Sequence, residues 1–94
     1  MLDAINIPVE GLVLLDFYTN WCGPCKLMSP ILDKLTNVQV IKIDTEKYSD
    51  LAEKYNVSSL PTLVLIRDNI ELKRYVGVTS QKILQDKIDI ENGR

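Results

Sequence analysis

Apolar residues occur along the chain in short runs that predict a series of strands. The first run, Leu12–Tyr18, is apolar on both alternating faces except at Asp16, as expected for a central strand that is covered on both sides. Val38–Asp44 alternates its apolar residues and predicts a second buried strand. Thr62–Ile66 predicts a third strand, and the turn after it leads into Glu71–Val76, which predicts a β-hairpin.

Three further segments carry apolar residues at helical spacing. The first helix is predicted after Cys22, with Pro30 inside its pattern and a kink expected there. Its expected apolar face consists of Leu27, Met28, Ile31, Leu32 and Leu35. A short helix is predicted around Leu51–Tyr55, and a last helix begins near Ser80, a good N-cap residue. The last helix is expected to bury Ile83, Leu84 and Ile88. The order β-α-β-α-β-β-α predicts an α/β fold.

Composition and charge limit the number of domains and the class of partner. The chain has 94 residues, enough for one core, so residues 1–94 are expected to form a single domain. Eleven basic and thirteen acidic residues give a net charge of −2, without the basic stripe that phosphate contacts require, so we expect no nucleic-acid partner. No leader pattern and no apolar run of ~18 residues is present, which favours a cytoplasmic protein that does not enter a membrane.

Two cysteines are present, and they are separated by only two residues. A disulfide that closes so short a loop constrains little of the unfolded chain, so a stabilising role explains the pair poorly. Tetrahedral zinc needs four cysteine or histidine ligands, whereas the chain has two cysteines and no histidine. The spacing Cys22-x-x-Cys25 therefore predicts redox chemistry without a metal.

The cysteine motif lies where the first strand gives way to the first helix. If Cys22 begins that helix, its sulfur faces unpaired backbone N–H groups and the positive end of the helix dipole, which favour the thiolate. Cys25 is then one turn further on and more buried. Pro24 is tolerated in a first turn, and Gly23 leaves room for another backbone to approach.

The sequence resembles the thioredoxin family along most of its length. The resemblance rests on the first strand, the motif Trp21-Cys22-Gly23-Pro24-Cys25-Lys26, Pro30, Leu60-Pro61-Thr62, and Val76-Gly77 before the last helix. It implies a thioredoxin fold, in which helices flank a central mixed β-sheet. About ten residues precede the first strand, so the N-terminal strand-helix unit is expected to be shortened, and whether its edge strand exists stays open.

The resemblance also implies the chemical roles of three residues. Cys22 would attack a substrate disulfide, and Cys25 would resolve the mixed disulfide that results. From spacing alone, Asp16 is equally well a structural carboxylate or a buried base, and the resemblance favours a base that takes the proton of Cys25. Val40 stands where the family often has a lysine near this aspartate, and Lys42 is a candidate to replace that charge.

A substrate groove is implied around the cysteine pair. The resemblance predicts a cis bond before Pro61, against the low frequency of cis X-Pro bonds. The expected groove comprises Trp21, Gly23, Pro24, Ser59, Leu60, Pro61, Thr62, Val76, Gly77 and Val78. Several of these residues, the valines above all, are as well explained by ordinary packing.

The resemblance implies an electron carrier that serves cell redox homeostasis. Its partners would be a thioredoxin reductase, of a type that the sequence leaves open, and proteins that contain disulfides; it would be a monomer without cofactors. Gly-Pro between the cysteines is typical of the reducing branch of the family. Two alternatives remain: a noncatalytic binding module with the same fold, against which the intact cysteine pair and Asp16 weigh, and a dedicated redox partner of one enzyme.

Overall fold

A computed structural model describes residues 5–93, and its helices and strands follow the predicted order. The strands are β1 (Leu12–Tyr18), β2 (Gln39–Asp44), β3 (Thr62–Arg67) and β4 (Ile70–Val76). The helices are α1 (Gly23–Asp33), α2 (Ser49–Lys54) and α3 (Gln81–Asn92). β1 has the predicted bounds, and each of the other three strands differs from its predicted bounds by one residue at one end.

The four strands form one mixed sheet in the order β2-β1-β3-β4. β1 is parallel to β2 and antiparallel to β3, and β3 is antiparallel to β4. β3 and β4 are joined by Asp68 and Asn69, whose φ angles are 51° and 66°. A two-residue hairpin turn of this kind requires positive φ at both central positions, and asparagine and aspartate tolerate it. The expected mixed sheet and hairpin are confirmed.

Both faces of the sheet are covered, which explains why β1 is apolar on both sides. One face packs against α1 and α3 through a cluster of Leu12, Leu14, Met28, Leu32, Leu63, Leu65, Leu84 and Ile88. The other face packs against α2 through Val13, Leu15, Phe17, Ile43, Val64 and Ile66. Alternate residues of β1 therefore belong to different clusters, and Asp16 lies on the α1 face because Leu12 and Leu14 do.

Three expectations about burial are wrong. β2 is not a fully buried strand, because within the described sheet it pairs only with β1, and Ile43 is its one fully covered residue. Leu27 and Ile83 are 61% and 54% exposed. Helical spacing places a residue near the apolar face, but both side chains lie at the edge of that face, where the sheet no longer covers them.

The start of α3 follows the prediction, whereas the N-terminal segment is described only in part. Ser80 is the N-cap of α3, and its side chain accepts a hydrogen bond from the Ile83 N–H, which satisfies one free donor of the first turn. Residues 5–11 form neither helix nor strand, and residues 1–4, on which the question of an N-terminal edge strand also depends, lie outside the described residues. Among residues 5–93, no helix is long and apolar enough to cross a membrane.

Candidate functional site

The two cysteines lie at the start of α1 and are joined to each other in a disulfide. Cys22 is the N-cap residue, and its Sγ accepts a hydrogen bond from the Cys25 N–H at 3.1 Å. In most helices the N-cap acceptor is a side-chain oxygen, and here the Cys22 sulfur takes its place. At this position the helix presents its unpaired N–H donors and the positive end of its dipole. Both features favour a negative charge on this sulfur once the disulfide is reduced.

The two sulfurs differ in their access to solvent. Cys22 is partly exposed, whereas Cys25 is 7% exposed and faces the interior. Gly23 and Pro24 lie between them at the surface, and a Cβ added to Gly23 would meet nothing within 4 Å. Another chain can therefore approach Cys22 from the side of Gly23. An approaching chain meets the sulfur of Cys22 before that of Cys25.

Asp16 is a buried carboxyl group beneath this helix. It is 4% exposed, and its Oδ1 has no hydrogen-bond partner among the described residues. Burial raises the pKa of Asp16 from 3.8 to about 6, and the positive charge of Lys42 acts in the opposite direction with a smaller effect. Desolvation dominates because the ionised form loses its hydration without gaining a direct partner.

Asp16 and Cys25 line the same pocket, which has a volume of about 260 Å³. Its other lining residues are Tyr18, Thr19, Asn20, Lys26, Ser29 and Lys42. Sequence reasoning missed the role of Ser29 in this lining. The signal was present, because Ser29 follows Cys25 by four residues and such positions lie on the same face of a helix.

Lys42 is the register partner of Asp16 on the neighbouring strand. Its ammonium, however, contacts α1: Nζ lies 3.4 Å from Ser29 Oγ, to which it donates, and 3.9 Å from Asp33 Oδ1. Val40 packs against the α1 and α3 cluster as an apolar residue. The positive charge expected near Asp16 is therefore supplied from position 42, without an ion pair to Asp16 itself.

The remaining predicted groove residues meet at one edge of the sheet, the edge formed by the ends of β1 and β4 and the start of β3. In the register, Thr62 is opposite both Phe17 of β1 and Val76 of β4. Because β3 is antiparallel to both neighbours, the start of β3 lies beside the ends of β1 and β4. The cysteine motif follows β1 at this same edge, so residues 59–62 and 76–78 are brought to the side on which α1 begins.

One hydrogen bond joins the two loops at this edge, and a second lies within the loop of residues 59–62. The Pro61 carbonyl accepts from the Gly77 N–H at 2.9 Å, and the Thr62 hydroxyl donates to the Ser59 carbonyl at 2.6 Å. Gly77 has a φ of 92°, a conformation that disfavours a side chain. The predicted cis bond between Leu60 and Pro61 is confirmed.

Apolar side chains are exposed around the cysteine pair, as a contact surface requires. Trp21 is 71% exposed, and Val76 and Val78 are exposed as well. The ordinary-packing explanation of the two valines is therefore not supported, because neither is buried. Ser59 is exposed, Leu60 is half-buried, and Pro61 and Thr62 are buried. The described residues contain no cluster of three or more His, Cys, Asp or Glu side chains that could hold a metal.

Comparisons with known proteins agree with this arrangement. The family model described as Thioredoxin matches residues 4–90. A thioredoxin of Chlamydia trachomatis is 44% identical over 79 residues, which are 80% of this chain and 78% of that protein. Thioredoxin Y1, chloroplastic, of Arabidopsis thaliana is 43% identical over 82 residues, 82% of this chain but 48% of that protein. The chain thus spans about half the length of this chloroplastic relative.

Solved structures with the same fold include a mutant thioredoxin from Halobacterium salinarum. It superposes with a TM-score of 0.80 at 38% sequence identity and covers 86% of this chain and 74% of its own. The oxidised form of mitochondrial thioredoxin 3 from Saccharomyces cerevisiae superposes with a TM-score of 0.77 at 33% identity, with 86% of this chain and 79% of its own covered.

Proposed function

The chain belongs to the thioredoxin family and has the family's thiol-disulfide oxidoreductase chemistry, and we propose that it acts as a protein disulfide reductase. In this proposal, a thioredoxin reductase supplies two electrons and two protons to the disulfide between Cys22 and Cys25. The resulting dithiol then reduces a disulfide in another protein and returns to the oxidised form seen here. The observation that carries the proposal is the position of Cys22 as N-cap of α1.

Cys22 makes the first attack on the substrate. The thiolate is the nucleophile in disulfide exchange, and the backbone donor and helix dipole at the N-cap stabilise it. Its attack forms a sulfur–sulfur bond with one substrate sulfur and releases the other as a thiolate. Its partial exposure permits this attack, whereas the buried Cys25 cannot reach a substrate protein first.

Cys25 completes the reaction by attacking Cys22 in the mixed disulfide. Its thiol must lose a proton for this step, and Asp16 lines the same pocket. With a pKa of about 6, Asp16 is largely ionised near neutral pH and still basic enough to accept the proton, as a general base should be. The second substrate sulfur then leaves, so that the substrate is fully reduced.

Substrate recognition takes place on the exposed edge of the sheet. Trp21, Val76 and Val78 offer apolar contacts, and an extended substrate segment would lie along the loop that contains Pro61. Gly23 and Pro24 leave the approach to Cys22 open, while Ser59, Leu60, Thr62 and Gly77 shape the neighbouring loops. Recognition through backbone and small apolar contacts suits a reductant that acts on many different proteins.

The proposal places the protein in the cytoplasm as a monomer. A pair of cysteines with this spacing and no further disulfide is typical of a reducing compartment. Relatives named chloroplastic make the chloroplast a second reducing location for proteins of this kind. Residues 1–94 form a single domain in this proposal, and the reductase is of the NADPH-flavin or the ferredoxin-linked type.

Reduction of insulin driven by a small dithiol tests the proposal. The parent protein should accelerate precipitation of the insulin chains, and Cys22→Ser should not. A parent protein that fails to accelerate the reaction would instead favour a noncatalytic binding module. Capture of cellular proteins by Cys25→Ser then separates a general reductant, which traps many proteins, from a dedicated partner, which traps one.

A further inference from the structure

We propose that Met28 is a positioning residue of the substrate groove, because its thioether sulfur holds the loop between β4 and α3 in place beside the cysteine pair. This β4–α3 loop comprises residues 77–80. The proposal rests on the proposed function, since it takes the edge around Cys22 to be the surface that binds disulfide-containing proteins. It assigns a role to a core residue that the exchange chemistry itself does not use.

Met28 is completely buried, yet one contact of its side chain is polar. Its exposed fraction is 0%, and it belongs to the apolar cluster on the α1 face of the sheet. Its Sδ accepts a hydrogen bond from the Thr79 N–H at 3.3 Å. A thioether is a weak acceptor, but it is the acceptor that this N–H has among the described residues. Leucine would fill nearly the same volume and would leave the N–H without a partner.

The hydrogen bond to Met28 is the first of three that connect α1 with the loop of Pro61. The Thr79 hydroxyl donates to the Gly77 carbonyl at 3.1 Å. The Gly77 N–H in turn donates to the Pro61 carbonyl at 2.9 Å. The helix that carries the cysteine pair is therefore connected to both loops of the groove through groups that lie far apart in the sequence.

The position of the β4–α3 loop matters for substrates because two exposed groove residues flank Gly77. Val76 and Val78 are 62% and 52% exposed, so their side chains do not anchor the loop by packing within the chain. Met28 lies one helical turn after Cys25 on the buried face of α1, and its hydrogen bond fixes the loop relative to the cysteines. A groove that is already ordered loses less conformational entropy when a substrate binds.

Hydrogen exchange at the Thr79 amide of the oxidised protein tests this contact without requiring activity. Met28→Leu should accelerate exchange of this amide by roughly 2- to 10-fold, the factor that corresponds to one hydrogen bond of modest strength. Leu84→Met is the matched control, because it exchanges the same two residue types at another fully buried site of the same cluster. It should leave the exchange of the Thr79 amide unchanged.

Insulin reduction by the same variants separates substrate binding from chemistry. Met28→Leu should raise the KM for insulin by roughly 2- to 10-fold and leave kcat near the parent value, as expected when binding is weakened and the chemical groups are retained. The rate with a small aromatic disulfide, which makes little use of the groove, should stay unchanged. Leu84→Met should change neither KM nor kcat.

Thr79→Val tests the next hydrogen bond of the series, because it removes the hydroxyl that donates to the Gly77 carbonyl and changes the shape of the side chain little. It should raise the KM for insulin in the same way as Met28→Leu. The double variant should raise KM no more than the larger of the two single effects, since both substitutions break one connection. Two effects that simply add would contradict a common path through the loop.

The outcomes separate this proposal from the proposed function. Unchanged exchange of the Thr79 amide in Met28→Leu overturns the hold of Met28 on the loop, and an unchanged KM for insulin overturns its effect on the groove. An equal loss of rate with the small disulfide also overturns it, in favour of a general structural role. If Met28→Leu does not fold, Thr79→Val decides by the same comparison of KM with kcat. A parent that does not reduce insulin would refute the proposed function, whereas exchange at Thr79 would still decide the contact.

Discussion

Replacement of Asp16 by asparagine should stabilise the folded protein above pH 6 and leave it nearly unchanged at low pH. Asparagine has almost the same shape as the protonated carboxyl group but cannot ionise. The carboxylate is 4% exposed and its Oδ1 is without a partner among the described residues. Ionising this carboxyl group in the folded state therefore costs free energy, whereas in the unfolded chain it is hydrated and ionises without that cost.

The size and pH range of the effect follow from the pKa of Asp16. Burial raises this pKa from 3.8 to about 6. Below the unfolded value, both states hold the proton and there is no penalty. Between the two values, the unfolded state ionises first and the folded state loses stability as the pH rises. Each unit corresponds to about 1.4 kcal/mol, so the loss reaches about 3 kcal/mol above the folded pKa and then stays constant.

Urea unfolding of the oxidised parent and of Asp16→Asn, followed by fluorescence at several pH values, measures this difference. At about pH 4 the two midpoints should nearly coincide, and at about pH 8 the variant should unfold at a urea concentration roughly 1 to 3 M higher. Asp50→Asn is the control, because Asp50 is an exposed carboxylate on α2 and its loss should change stability little at either pH.

Two results would contradict the reasoning. If Asp16→Asn is less stable than the parent at about pH 8, the carboxylate has favourable partners in the folded state that outweigh its desolvation. If the difference between the two proteins is the same at every pH, Asp16 does not titrate differently in the folded and unfolded states. Either result would also remove the physical basis for its role as a base.

Four further predictions follow from the site and the fold. In single-turnover reduction, Asp16→Asn should slow the release of substrate from the mixed disulfide by roughly 10²-fold at neutral pH, as loss of a general base does; an unchanged rate would exclude this role. Cys22→Ser should abolish disulfide reduction, whereas Cys25→Ser should attack and accumulate mixed disulfides visible on non-reducing gels; equal trapping by both would contradict the assigned order. Val76→Ser should reduce kcat/KM for insulin about 3- to 10-fold, because it removes an exposed apolar contact, but it should not change the rate with a small aromatic disulfide. Ile90→Ser, at an exposed site on α3, is the control and should change the rate with neither substrate. Ser80→Ala should lower the free energy of unfolding by about 1 kcal/mol, because it removes the N-cap acceptor of the Ile83 N–H, and a matched urea midpoint would refute this.

Local sequence patterns determined the elements of this protein and the position of its chemistry. The apolar run of β1, the N-cap at Ser80 and the Asp68-Asn69 turn each depend on a few neighbouring residues, so they could be predicted without the fold. The cysteine spacing likewise places Cys22 and Cys25 on one turn of α1, because helical geometry alone brings positions three apart together.

Burial could not be predicted from the same patterns. Leu27 and Ile83 have helical spacing but are exposed, since coverage depends on where the sheet ends. The sequence pattern of β2 predicts a buried strand, yet β2 is an edge strand of the described sheet. Strand order follows from pairing between distant segments, and the alternation of one strand contains no information about its neighbours.

Tertiary structure alone decided the surroundings of Asp16. The sequence shows one acidic residue in an apolar strand, which fits a hydrated structural carboxylate as well as a buried base. Pairing of β1 with β2 sets Lys42 beside Asp16, and packing of α1 on the sheet adds Ser29, Asp33 and Cys25 to the same region. The pKa of a carboxyl group depends on desolvation and on charges a few ångströms away, and those distances exist only once segments remote in sequence have packed together.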